Sequence, residues 1–77
     1  MKIACKVTDT FTNQVVTNKV YTQSEIGNWG VYHRGILEMF LKTYQQMPGA
    51  ELIIKVLAKN LHYRYVIVPD DYFCQEV

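Results

Sequence analysis

From Lys2 to Thr8 the chain alternates, with Ile3, Cys5 and Val7 on one side and Lys2, Lys6 and Thr8 on the other. A period of two places those sets on opposite faces of a half-buried strand. Turn formers follow at Asp9-Thr10-Phe11-Thr12-Asn13, and Gln14 to Thr22 resumes in β-branched and aromatic residues. The two segments predict a hairpin closed by a loop of about four or five residues.

Ser24 is a good N-cap, and Glu25 suits the positive end of a helix dipole. Apolar positions then recur at Ile26, Trp29, Tyr32, Ile36, Met39/Phe40, Thr43/Tyr44 and Met47. Steps of three and four predict one helix over 25–47, ended by Met47-Pro48-Gly49. Gly27, Gly30 and Gly35 fall inside it, each costing about 1 kcal/mol relative to Ala. Either the regular helix starts near Val31, or the glycines gather on one side and admit close approach of another backbone. That backbone is expected to be the chain's own sheet, with a partner as the alternative.

Glu51 to Lys59 alternates again, and Lys59-Asn60 supplies a tight turn. Leu61 to Val68 follows, rich in Tyr and Val, and Pro69-Asp70-Asp71 ends it. The tail from Tyr72 is expected to pack back on the domain. Two hairpins around one helix predict a single α+β domain over 1–77 of ββαββ order. Its architecture is a four-stranded antiparallel sheet with one long helix on one face, leaving the other face uncovered.

Composition changes this picture in three ways. At 77 residues only about 60% of the unfolded surface is buried on folding, so the core is small. Six Tyr, three Phe and one Trp exceed what such a core absorbs, which points to rings at a binding surface. The net charge of +1 excludes strongly acidic DNA mimicry and strongly basic nucleic-acid coating by the whole domain. Cys5 and Cys74 fit no disulfide framework, the N-terminal residues do not read as a signal peptide, and no apolar run reaches membrane-spanning length. The expectation is a cytoplasmic protein with free thiols and no membrane contact, although the fold could bring the two cysteines together.

Cys5, His33, His62 and Cys74 lack metal-ligand spacing, so neither metal nor cofactor is expected. His33-Arg34, or His62 with Arg64, supplies the residue types of a small ribonuclease, with His as base and Arg stabilising charge on phosphate. Nothing in their spacing assembles them, and a non-enzymatic protein is expected. Lys55, Lys59, His62, Tyr63, Arg64 and Tyr65 interleave basic and aromatic side chains over one hairpin, as in readers of RNA or single-stranded DNA. Period two puts His62 and Arg64 opposite Tyr63 and Tyr65, which separates phosphate contacts from stacking. Protein binding uses these residues more comfortably, through an open sheet face, an edge strand or a homodimer. The expected surface centres on Tyr63, Arg64 and Tyr65 with Lys55, Lys59 and His62. A second surface is offered by His33 and Arg34, with Trp29 and Tyr32 nearby but assigned to the core first.

In size, element order, absence of catalytic motifs and aromatic content, the chain resembles the small anti-defence inhibitors of bacteriophages, the anti-CRISPR proteins being the best-known group. The resemblance lies in layout, and it carries no residue roles. It implies a stoichiometric inhibitor in the host cytoplasm that docks on a host defence complex and blocks its nucleic-acid binding or recruitment. Near-neutral charge implies docking through aromatic and mixed-charge contacts. An RNA- or single-strand-DNA-binding module is the alternative, followed by a small ribonuclease.

Overall fold

The opening alternation becomes β1 (Lys2–Asp9), which pairs antiparallel with β2 (Val15–Thr22) and with β4 (Leu61–Val68). β3 (Glu51–Val56) pairs antiparallel with β4, completing a sheet of order β2-β1-β4-β3. The structure is a computed structural model that describes residues 1–22, 24–25 and 34–73. Between β2 and β3 the described residues form one α-helix, α1 (Arg34–Tyr44). The ββαββ order and α+β class expected from the sequence are both present.

Because β2 and β3 are the two edge strands, the connection through α1 takes the chain from one edge of the sheet to the other. α1 buries one face on the way. Ile3, Cys5 and Val7 of β1, Tyr65 and Ile67 of β4, and Leu37, Phe40 and Leu41 of α1 form one cluster. Tyr65, Ile3, Leu37 and Ile67 are its largest fully buried side chains, and removing such a side chain from water contributes about 1.5–3 kcal/mol. Tyr21, Leu52, Ile54, Leu61 and Tyr63 pack around the cluster.

The turns close by side-chain and backbone bonds. Asp9 Oδ1 accepts from the N–H groups of Phe11 (2.8 Å) and Thr12 (3.3 Å), while Asn13 takes φ 60°. This is the Asx chemistry that makes Asp and Asn turn residues. A register shift between Val7 and Thr8 lets β2 begin beside it. The Thr10 N–H donates to the Asn60 carbonyl at 2.8 Å, which ties the two hairpin turns together.

Three expectations need correction. The strand expected over Glu51–Lys59 ends at Val56, and Leu57–Lys59 forms a 3-10 turn closed by Asn60 at φ 55°. The Asn60 N–H bonds the Leu57 carbonyl, and Leu57 is 84% exposed. The helix is also phased differently. Leu37, Phe40 and Leu41 face the sheet, whereas Ile36 and Met39 of the expected stripe face outward, Met39 being 73% exposed. Finally, Gly35 mediates no close approach: a Cβ built there meets nothing within 4 Å. Ser24 and Glu25 lie in a 3-10 turn. Gly27, Trp29, Gly30, Tyr32, His33 and Cys74 lie outside the described residues.

The helix ends at Tyr44, whose carbonyl accepts the Met47 N–H at 2.9 Å, and Gly49 then turns the chain at φ 90°. Gly49 N–H and the Ala50 carbonyl pair with Ile67 at 2.8 and 2.9 Å, leading directly into β3. A side chain at Gly49 would meet no neighbour, so its requirement is backbone conformation alone. Gly49→Ala is therefore expected to destabilise by about 1–2 kcal/mol. Urea denaturation should show a lower midpoint at unchanged slope.

The open face of the sheet as the candidate functional site

The face turned away from α1 can be built row by row from strand register. Lys6 on β1 sits between Asn18 of β2 and Arg64 of β4, and Arg64 faces Ile53 of β3. On one side of that row lie Thr8, His62 and Lys55, and on the other Val20, Ala4, Val66 and Glu51. Thr22, Lys2 and Val68 complete the face. Its strand positions therefore hold four cations, Lys2, Lys6, Lys55 and Arg64, and one carboxylate, Glu51, for a net charge of +3. The whole chain carries only +1, so the sheet concentrates positive charge on one side.

Glu51 Oε1 accepts from Nε of Arg64 and forms an ion pair with its Nη2, which holds the guanidinium beside β3. Both side chains are partly exposed, and such pairs contribute about 0–1 kcal/mol. Lys6 has no ion-pair partner among the described residues and stands directly opposite Arg64. Like charges opposed across a ladder are destabilising by up to about 1 kcal/mol. The pair is unfavourable for folding and favourable for anything negative that lies over it.

A cleft of about 190 Å³ opens at this place, lined by Ala4, Lys6, Asn18, Arg64, Val66, Val68 and Tyr72. Tyr72 reaches it because its N–H closes a turn onto the Pro69 carbonyl at 3.0 Å, folding the tail across the end of β4. Val68 is buried although it lies outside the core cluster and on the open face, beside Tyr72. The Met1 ammonium pairs with Asp70 at 3.0 Å and anchors the same turn. Of the tail expected to pack back, Tyr72 lines the cleft while 42% exposed, Phe73 is 87% exposed, and 74–77 lie outside the described residues.

The residues expected to form one surface are divided by the fold. Lys55, His62 and Arg64 share the open face. Tyr63 and Tyr65 point to the core side, stacked with ring centroids 6.4 Å apart. Tyr65, only 1% exposed, cannot be the interface residue it was expected to be. It lies opposite Cys5 beneath α1, where burial outweighs the use of its polar tip at a surface. Lys59 is exposed at the hairpin tip, and Arg34 pairs with Glu38 at 2.9 Å on the helix covering the opposite face. Arg34 is therefore not continuous with the hairpin surface. His62 is partly buried, and its Nε2 is shielded from solvent without a hydrogen-bond partner.

Comparison of the chain with protein-family models, curated proteins and solved structures finds no match. Among the described residues no group of three or more His, Cys, Asp or Glu is placed to hold a metal ion, and no helix is long and apolar enough to cross a membrane. Lys2, Lys6, Asn18 and Tyr72 were missing from the expected set. The Lys2/Lys6 alternation was visible, but their meeting with Arg64 depends on the β1–β4 register.

On the opposite face Cys5 is a packing residue. Burial pushes its thiol up to about 11, against a smaller lowering by the Tyr65 hydrogen bond, and burial pushes the Tyr65 hydroxyl upward too. In a Cys74→Ser background, alkylation at pH 8 is expected to be slow in the native protein and fast after unfolding, as read by mass spectrometry. A raised folded-state value means the thiol favours folding below its ordinary 9.0, and this contribution is lost as pH rises through about 11. Urea midpoints should fall across that window, and fall less in Cys5→Ala.

Proposed function

We propose that this is a non-enzymatic binding protein that docks the open face of its sheet on an acidic surface of a protein partner. One observation carries the reading: a sheet face that no described element covers, with four cations against one carboxylate, interspersed with Ala4, Val20, Ile53 and Val66. Interfaces combine an apolar centre with charges that steer approach and set orientation. The layout further suggests a phage-type inhibitor acting on a host defence complex, where covering an acidic recruitment surface would be sufficient for inhibition.

The nucleic-acid alternative shares the cations, but the hairpin rings expected to stack bases are turned away from them. Tyr63 and Tyr65 are turned into the core, and among the described residues Tyr72 is the sole aromatic at the cleft. Single-strand readers draw about 1–3 kcal/mol per base from such stacking.

The test is a pull-down from bacterial lysate using wild type, a Lys6→Glu/Arg64→Glu variant and Met39→Glu on the exposed side of α1. Nuclease is added to half of each sample. The expected result is a stoichiometric protein complex that survives nuclease, persists with Met39→Glu and is lost with the open-face variant. Loss with Met39→Glu alone would move the interface to the helix. Nuclease-sensitive recovery of nucleic acid would replace this reading by the RNA- or DNA-binding one.

A further inference from the structure

From the row Asn18–Lys6–Arg64 we infer a carboxylate-binding subsite within the open face, one that receives a single Asp or Glu side chain of an acidic protein segment. The inference rests on the proposed docking role of that face and adds where, and by what chemistry, the contact is made.

Four observations converge on the cleft. First, Lys6 and Arg64 are direct cross-strand partners and both line it, so two cationic residues border one small volume. Second, Glu51 engages Nε and Nη2 of Arg64, which orients the guanidinium and leaves Nη1 without a partner among the described residues. A planar guanidinium held on one side is suited to presenting its remaining donors to a second carboxylate. Third, Asn18 adds a polar residue to the same lining. Fourth, Val66, Val68 and Tyr72 give the cleft an apolar floor and wall, where the aliphatic stem of a glutamate would lie.

Size narrows the occupant. Pockets for whole small molecules run to about 300–1,000 Å³, and this one is about 190 Å³. One side-chain terminus fits that space. A carboxylate on an apolar stem matches the lining better than a phosphodiester, whose flanking bases would find, among the described residues, only the Tyr72 ring beside the cation pair. Lys55 is two residues from Ile53 along β3 and does not line the cleft, so it serves as an internal control on the same face.

The experiment is an NMR titration of the isotope-labelled full chain with a capped hexaglutamate peptide, a capped hexaglutamine peptide and a ten-nucleotide oligo-dT. Hexaglutamate is expected to shift the amides of Lys6, Asn18, Arg64 and Val66 saturably, while hexaglutamine shifts nothing. Lys6→Gln and Arg64→Gln should each weaken binding roughly tenfold, and Lys55→Gln by less than about threefold. Thermal melts of the same samples verify folding, and Lys6→Gln, at an exposed site without an ion-pair partner among the described residues, keeps the test valid if Arg64→Gln unfolds.

Shifts spread over the whole face, with Lys55→Gln as harmful as Lys6→Gln, would overturn the subsite and leave the docking face standing. Tighter binding of oligo-dT at these amides would overturn the carboxylate assignment in favour of phosphate. No perturbation of the open face by any probe would overturn the subsite. The docking face would then be decided by the lysate capture alone.

Discussion

Tyr65→Ala is expected to unfold the domain under ordinary conditions and to abolish binding only for that reason. The ring is the largest of the fully buried side chains, stacks on Tyr63, and contacts the cluster that α1 closes. Truncating a buried aromatic to Ala costs about 3–5 kcal/mol through lost burial and the residual cavity. A domain of this size has about 3–5 kcal/mol of core stabilisation to lose. The two figures are comparable, so the folded population collapses. Far-UV circular dichroism and urea titration should show loss of the cooperative transition. Tyr65→Phe keeps the ring and removes the hydroxyl that meets Cys5. It is expected to fold, with a loss of about 0.5–1.5 kcal/mol for one hydrogen bond. A stable, partner-deficient Tyr65→Ala would contradict this placement and restore Tyr65 as a surface contact.

That result bears on what could be read from the sequence. Period two in β1 and β4 made both strands legible, and with them the division of His62 and Arg64 from Tyr63 and Tyr65. Which of those sets faced the core was not legible, because Tyr serves both environments and Arg64 flanks it on a strand of intermediate polarity. The sheet answers the question by pairing Tyr65 with Cys5 and Leu52, both on the helix side.

The helix was harder for a related reason. α1 carries apolar residues at Ile36 and Met39 as well as at Leu37, Phe40 and Leu41. Two overlapping stripes satisfy a helical period, and the footprint of the sheet selects one of them. Likewise, Leu57 continues the β3 alternation in sequence, yet the left-handed Asn60 tightens the connection into a 3-10 turn. The candidate site shows the limit most plainly. Lys6 and Arg64 belong to separate hairpins, and no local pattern reveals that they are cross-strand neighbours. Tyr72 reaches the same cleft through a turn begun by Pro69, a tertiary consequence of where β4 ends.

Charge reversal at Lys6 and Arg64 together is expected to have the largest effect on function with little effect on folding. Both side chains are exposed, so neither leaves a cavity, and the Glu51–Arg64 pair being removed is a solvent-exposed one. The substitutions take the strand positions of the open face from +3 to −1. An acidic partner would then meet repulsion in place of attraction. Steering of this kind changes association rates by about 10–10³-fold and weakens as ionic strength rises. Surface plasmon resonance against the captured partner should therefore show a slower on-rate for the variant at low salt, with the gap narrowing at high salt. Loss of the cleft contacts should appear separately, as a faster off-rate that salt does not rescue. The Lys55→Glu variant, charged on the same face but away from the cleft, should reproduce part of the on-rate effect and little of the off-rate effect. Equal off-rates for wild type and the double variant would reduce Lys6 and Arg64 to general steering. Equal on-rates at low salt would remove the open face as the docking surface.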